Sequence, residues 1–470
     1  MPELDRIPEE FTGRPLVAGA GVSGLGCAAL LAAIGSEFAV ADDNPDALAK
    51  VAERTAARTL SVAQARDRLS EFDVVVTSPG WRPDSPLLVD AALAGLEVIG
   101  DVELAWRLDQ AGVFGAPREW LGVTGTNGKT TTTSMLAAIM GKGERPAVAV
   151  GNIGVSVADA LLGERVDVLC AELSSFQLHW SSQLRPSAGV LLNLADDHLD
   201  WHGGFADYAS SKGKILCGEL AVVPRRDDLV EGVVDTLRSA GTLAPTVVRY
   251  TDAEPREGEV GTVDGRIVDR AFADRADIAG VEQFVSRGEV LDAVAATAIA
   301  RSHGVTPKQI SEALAPFHSP AHRGQVVHEV GGVRFIDNSK ATNPHAAAAA
   351  MAGLQNIIWI AGGQVKGADV AELIAEHGPQ VKAALLLGKD RELIRAEFAR
   401  QFPGTPVVVT DSTDKTGALA ELLRGAEGLA AEGDTVLLAP AAASLDMYRG
   451  MSERGDIFAD LAKSFTPGGE

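Results

Sequence analysis

Residues 121–134 read LGVTGTNGKTTTTS. An apolar strand runs into Gly125, Thr126, Asn127, Gly128, Lys129, Thr130 and Thr131, and then into a helix-forming stretch. Glycines let the backbone curl so that successive N–H groups face a phosphate. Lys129 adds a point positive charge, and a threonine hydroxyl can hold Mg²⁺. Strict Walker A spacing needs a glycine at 123, where the chain has Val123, so the loop is a shorter variant. The plain alternative is a Thr/Gly-rich turn with a stray lysine. Strand, loop and helix in this order mark an α/β layer whose expected ligand is a nucleoside triphosphate.

The pattern continues on both sides. The 470 residues suffice for about three domains. A hydrophobic content of 46% with few aromatics and 50 glycines suits Ala- and Val-rich α/β cores. Upstream, PLVAGA (15–20), EFAVAD (37–42), DVVVTS (73–78) and LEVIG (96–100) read as buried parallel strands, with helices near 22–35 and 85–95. Gly and Pro interrupt the pattern at 110–119, QAGVFGAPRE, a linker. Strand 120–124 then opens a second unit that includes RVDVLCAEL (165–173) and SAGVLLNL (187–194). Residues 219–285 are more polar and Gly-rich, and their elements are hard to assign. Helices near 289–302 and 307–315 precede a second break, PFHSPAHRGQ (316–325). Five strands follow it: VRFID, NIIWIAG, AALLLG, PVVVT and DTVLLAP. The run AAAAAM (346–351) follows Asn343-Pro344 and reads as a small-residue helix packed on a sheet. The expected fold is α/β in three domains: Rossmann-like over 1–112, a central P-loop ATP-binding domain with a parallel sheet over 113–318, and Rossmann-like over 319–470.

The net charge of −22 argues against nucleic acid or an anionic membrane as partner. Cys27, Cys170 and Cys217 show no paired spacing and read as buried thiols in a reducing cytoplasm. The start, MPELDRIPEE, lacks an apolar leader segment, and no run is long enough for a membrane span. A soluble cytoplasmic protein with no membrane insertion is expected.

Gly19-Ala20-Gly21-Val22-Ser23-Gly24 follows one strand and Asp42 ends the next. This spacing fits a dinucleotide fingerprint, any diphosphate at a helix N-terminus, or a structural tight turn. Nothing nearby resembles a hydride-transfer site, which weighs against nicotinamide. Ser78-Pro79-Gly80 lies past a strand of the same unit and would line the same crevice. In the second unit VDVLCAE ends a buried run on Glu172, where an NTPase places the carboxylate facing the metal. Asp196-Asp197-His198 follows the next strand, and Asp337, Lys340 and Lys366 stand on later Gly- or Asn-rich strand ends. Phosphates and carboxylates held between domains would account for these separate basic points.

Together GTNGKTTT, GNIG (151–154), AELSSFQL (171–178), DDH (196–198), Tyr208 to Lys212, HRG (322–324), DNSKATN (337–343), GGQVKGAD (362–369) and APAAASLD (439–446) resemble the Mur ligases in order and spacing. The resemblance covers nearly the whole chain, and SSFQL with ASLD resembles the D-glutamate-adding branch. It implies ATP and Mg²⁺ as cofactors, UDP-N-acetylmuramoyl-L-alanine and D-glutamate as substrates, and a monomer. It implies an amide-forming ligase of peptidoglycan synthesis: the substrate carboxylate attacks the γ-phosphate, and the amine then displaces phosphate from the acyl phosphate. By motif, Lys129 would support the β/γ-phosphates, while Thr130 and Glu172 would hold Mg²⁺. His198 and a carbamylated Lys212 would support a second Mg²⁺. Asn152 and Ser174 would lie near the reacting carboxylate. Arg323, Asp337 and Lys340 would serve the nucleotide and domain closure. Lys366, Ser444, Leu445 and Met451 would serve D-glutamate, and Val22, Ser23, Asp42, Asp43 and Gly80 the uridine nucleotide. Three places depart from the family pattern: Asn338 next to Asp337, the 288–292 segment without its His-Asn…Asn residues, and Met451 at a commonly aromatic position. Another Mur-type ligase, folate polyglutamylation and a nucleotide-gated protein without turnover are the rival readings.

Overall fold

The computed structural model describes residues 4–284, 286–317 and 321–466. The chain forms three sheets, with helices between most of the successive parallel strands. It packs as two compact units. One holds 1–194, 201–283 and 289–317 with the first two sheets; the other holds 195–200, 284–288 and 318–470 with the third. The boundary expected at 318/319 and part of the break 316–325 lie outside the described residues.

The first sheet contains β1 (Pro15–Ala18), β2 (Ala39–Ala41), β3 (Arg58–Leu60), β4 (Val74–Thr77) and β5 (Glu97–Gly100), all parallel, in the order β3-β2-β1-β4-β5. β1, β2 and β4 are buried along their whole length, which explains their unbroken apolar sequences. β3 begins with two exposed residues, Arg58 and Thr59, so no apolar run announces it. The order reverses between β1 and β4, and the crevice at such a switch point is where open α/β sheets bind ligands. Gly19 and Gly24 make the tight turn there. A Cβ on Gly24 would lie 1.8 Å from the Gly19 carbonyl oxygen.

The second sheet contains β6 (Glu119–Thr124), β7 (Ala147–Gly151), β8 (Val168–Glu172), β9 (Ala188–Leu191), β10 (Leu220–Pro224), β11 (Thr246–Tyr250), β12 (Glu259–Val263), β13 (Arg266–Asp269) and β14 (Ala276–Gly280). Its order is β14-β13-β12-β11-β10-β9-β6-β8-β7. The strands from β7 across to β12 are parallel, and β12, β13 and β14 close the edge as an antiparallel meander. In the region 219–285, hard to assign from sequence, the meander follows β10, a helix (Asp228–Ser239) and β11. β6 lies between β8 and β9, so the Gly125–Gly128 loop leaves from the middle of the sheet.

The third sheet contains β15 (Gln325–Val330), β16 (Val333–Asp337), β17 (Ile357–Gly362), β18 (Val381–Leu387), β19 (Val407–Val409) and β20 (Thr435–Leu438). Its order is β15-β16-β20-β17-β18-β19, parallel except for β15. β15 is the strand that sequence patterning overlooks, because QVVHEV is half-exposed along its length. The alanine run lies in the helix Pro344–Met351, capped by Asn343 accepting from the Ala346 N–H at 2.8 Å, with Ala347 and Met351 in the core.

Two glycines predict opposite effects on thermal unfolding. Gly24→Ala drives a Cβ into backbone and should cost about 2 kcal/mol, seen as a lower melting temperature. Gly232→Ala, exposed within the helix Asp228–Ser239 with no atom within 4 Å of an added Cβ, should gain about 1 kcal/mol.

Candidate active site

β6 delivers the chain into Gly125, and the helix Lys129–Met140 starts directly behind Gly128, which takes φ 81°. A left-handed residue at this position turns the backbone N–H groups outward at the positive end of the helix. Asn193, just past β9, staples the loop: its carbonyl accepts from the Thr126 N–H at 3.0 Å and its Oδ1 from the Asn127 N–H at 2.9 Å. The Thr126 hydroxyl pairs with the Tyr208 hydroxyl at 2.7 Å. Lys129 Nζ donates to the carbonyls of Gly125 and Thr126 at 2.9 and 2.8 Å, folded over its own loop.

Glu172 ends β8 next to this loop and is 1% exposed. Its Oε1 accepts from Asn152 Nδ2 at 3.0 Å, while its Oε2 is buried without a hydrogen-bond partner. A buried carboxylate oxygen in that condition is costly unless a ligand completes it. Thr130 is the second residue of the helix that follows the loop. Hard oxygens from a carboxylate and a hydroxyl beside a phosphate loop fit Mg²⁺, which takes few protein ligands and fills the rest with water and phosphate. Among the described residues no group of three or more His, Cys, Asp or Glu side chains is placed to hold a metal ion.

Lys212 lies on the helix Phe205–Gly213 and is 2% exposed. Its Nζ donates to the Gly125 carbonyl at 2.7 Å and to Thr124 Oγ1 at 3.3 Å, and sits 5.0 Å over the Tyr208 ring. A lysine four residues after a tyrosine on a helix would ordinarily be solvated; here it is part of the loop's floor. Ser174 caps the helix Ser175–His179 in a capping box with Gln177.

In the first sheet Asp42 turns its carboxylate inward. Oδ2 accepts from the Ala20 N–H at 2.7 Å and Oδ1 from the Asn44 N–H at 2.8 Å, so it braces the glycine turn. Asp43 Oδ1 accepts from the Val62 N–H at 3.0 Å. Ser78 Oγ is buried without a partner and lies where a Cβ on Gly19 would fall, 2.8 Å away. Val22, 84% exposed at the first position of its helix, presents apolar surface at the mouth of the crevice.

In the second unit, Asp196, Asp197, His198 and Leu199 line one cleft with Thr342, Asn343 and the segment Val365–Ala368. His198 and Lys366 both adopt positive φ there, 55° and 54°. Asp337 is fully buried and pairs with His322 Nδ1 at 2.6 Å. Lys340 follows it, its N–H on the His322 carbonyl at 3.3 Å. Arg323 lies beside His322 on the same connection. Ser444 is buried, and Leu445 is exposed beside it.

Arg454 went unnoticed in the sequence because it sits in an ordinary polar helix, Met451–Ala462. Fully buried, it donates to Ser339 Oγ (3.0 Å), the Ser339 carbonyl (2.8 Å), the Ala442 carbonyl (3.3 Å) and the Gly362 carbonyl (3.4 Å). It therefore ties the loops that carry Lys340, Ser444 and Lys366. Burial pulls its guanidinium down to about 10. Asp292 was likewise legible only as a departure; its Oδ1 accepts from Thr132 Oγ1 at 3.0 Å, beside Gly128. Cys27 and Cys170 are buried and Cys217 half-buried, a partial correction to the expectation for the thiols. Among the described residues no helix is long and apolar enough to cross a membrane.

Residues 14–100 match the family described as Mur ligase MurD-like, N-terminal domain. Residues 123–255 match the Mur ligase middle domain, and residues 322–442 the Mur ligase, glutamate ligase domain. The chain is 53% identical over 469 residues to the UDP-N-acetylmuramoylalanine–D-glutamate ligase of Corynebacterium efficiens, covering 99% of this chain and 98% of the relative. It is 43% identical over 482 residues to the Mycobacterium leprae protein of the same name, covering 96% and 97%. Its fold is shared with the MurF ligase of Thermotoga maritima solved in complex with ADP, at 15% identity and a TM-score of 0.57 over 97% of this chain and 100% of that one. The MurC ligase of the same organism superposes with a TM-score of 0.55 at 16% identity over 96% and 99%. Three matching domains in order and identity along the full length place this chain in the Mur ligase family.

Proposed function

We propose that this chain is an ATP-dependent ligase that adds D-glutamate to UDP-N-acetylmuramoyl-L-alanine, a cytoplasmic step of peptidoglycan synthesis. The observation that carries this reading is identity of 43–53% along nearly the whole chain to relatives bearing that name. On this reading 1–112 would bind the UDP-sugar, 113–318 ATP, and 319–470 the amino acid while closing over the site, with the chain acting as a monomer.

The site's chemistry supports each step. The N–H groups of Gly125–Gly128, the helix N-terminus and Lys129 take the β- and γ-phosphates, with Thr131 one position further in; Arg323 and Lys340 supply further cations. Thr130 and Glu172 would hold Mg²⁺, whose charge eases departure of the γ-phosphoryl group; His198 and Lys212 would support a second ion. Asn152 and Ser174 orient the alanyl carboxylate. One of its oxygens attacks the γ-phosphorus, ADP leaves, and a mixed anhydride remains. The D-glutamate amine attacks the acyl carbon, loses a proton, and inorganic phosphate leaves as the amide forms. Lys366 and Ser444, with Leu445 and Met451, would receive the two carboxylates and the stem of D-glutamate. Val22, Ser23, Asp42, Asp43 and Gly80 would receive the uridine nucleotide, Asp42 by shaping the loop as much as by contact.

Phosphate release from ATP with UDP-N-acetylmuramoyl-L-alanine, measured across D- and L-amino acids, tests the assignment. D-glutamate alone should stimulate release; stimulation only by L-lysine or meso-diaminopimelate would overturn it. Lys129→Ala should lower kcat by at least about a hundredfold in a folded protein, because the loop loses its cation as charge moves between phosphates.

Lys212 carries a second expectation. Its buried amine stands beside the phosphate loop, where a bare ammonium would repel Mg²⁺. Reaction of the amine with CO₂ forms an N–C bond and releases a proton, turning the cation into an anion with hard oxygens. Lys212→Ala should lose most activity and regain part of it with added small carboxylic acids. Carbon-13 NMR with labelled bicarbonate should show a carbamate signal that this variant lacks.

A further inference from the structure

The helix Asp101–Gln110 leaves the first sheet directly after β5 and is hydrogen-bonded to second-sheet segments at both ends. At its start Gly100 N–H donates to the Trp180 carbonyl at 2.9 Å. At its end Asp109, fully buried, accepts from Arg118 N and Nη1 and from Trp120 Nε1 on β6, the strand that carries the phosphate loop. Between them Glu103 is fully buried. Its Oε1 accepts from Gln183 N (2.8 Å), Ser182 Oγ (3.3 Å) and Arg107 Nε (2.9 Å), and its Oε2 from Leu184 N (3.2 Å). Arg107 also holds Glu97 on β5 through both Nη atoms, at 2.9 and 2.6 Å, and Ser182 Oγ at 2.9 Å.

A buried carboxylate satisfied this way is tolerable only while the Ser182–Leu184 donors stay in place. Rotating the first sheet away from the second would strand it, at the cost that attends an unpaired buried charge. The helix therefore behaves as a strut of set length between the β1/β4 crevice and the β6 loop. Resting on the reading above, in which one substrate reaches from the uridine crevice to the phosphate loop, that length matters to chemistry. We propose that Glu103 is a positioning residue: by docking helix Asp101–Gln110 on Ser182–Leu184, it sets the spacing between the nucleotide end and the reacting carboxylate of the donor substrate. It touches neither end. Its effect is to keep the two half-sites in register, so that binding at one end already aligns the other.

The test compares UDP, which needs only the first sheet, with the full UDP-N-acetylmuramoyl-L-alanine, which needs both. Wild type, Glu103→Gln and Ser182→Ala are assayed for UDP binding by calorimetry, for KM of each substrate and for melting temperature. Glu103→Gln should leave the UDP dissociation constant and the KM for ATP within about twofold and raise the KM for the full substrate about tenfold. Ser182→Ala, at an exposed residue and without effect on folding, should move the same ratio about threefold. Parallel weakening of UDP and of the full substrate, or no change in their ratio in both variants, would overturn the proposal. If Glu103→Gln does not fold, Ser182→Ala decides alone. Absence of D-glutamate-dependent phosphate release in wild type would overturn the functional reading instead.

Discussion

The buried Oε2 of Glu172 is the constraint around which the second sheet is organised. A carboxylate oxygen without a hydrogen-bond partner is unfavourable in a dry strand end. Its neighbours make that arrangement rigid. Asn152 fixes the other oxygen from the end of β7, the Asn152 N–H holds the Glu172 carbonyl, and Asn193 fixes the loop across from it. Strain of this kind persists when surrounding structure over-determines it, and it suits a carboxylate that gains its last partner only with a bound cation and phosphate.

Charge follows the same economy of placement. With a net charge of −22, the protein repels polyanions at long range, so their sites depend on local cations and aligned N–H groups. Lys129 lies over the carbonyls of Gly125 and Thr126, at the positive end of the helix that follows, and so sets a cation at the loop itself. Asp42 does the reverse: it lends its negative charge to the Ala20 N–H and stiffens the turn that an approaching diphosphate must meet.

Buried arginines act as joints. Arg107 gathers Glu10, Glu97 and Glu103, and Arg454 gathers the carbonyls of Ser339, Gly362 and Ala442. The planar five-donor guanidinium can serve several diverging acceptors at once, which a lysine cannot. In each unit one such group holds several chain segments in fixed relation, and the segments at Arg454 lead into the candidate ligand-binding loops.

Much of this was legible in the sequence. Buried parallel strands advertise themselves as unbroken apolar runs, and glycine loops at their ends advertise a phosphate site, because both signals are local and chemical. β3, β15 and the β12–β14 meander were not legible, since β3 and β15 carry exposed residues at sheet edges and the meander strands are only four or five residues long, too short to stand out as apolar runs. The sequence by itself determined the α/β layers, the phosphate loop and the residue types of the site. Only the tertiary structure decided that Lys212 is buried, that Asp42 faces its own loop, and that Glu103, Arg107 and Arg454 are interior charges. A side chain's burial and partners depend on segments that meet only after the sheets have formed, and no spacing along the chain encodes them.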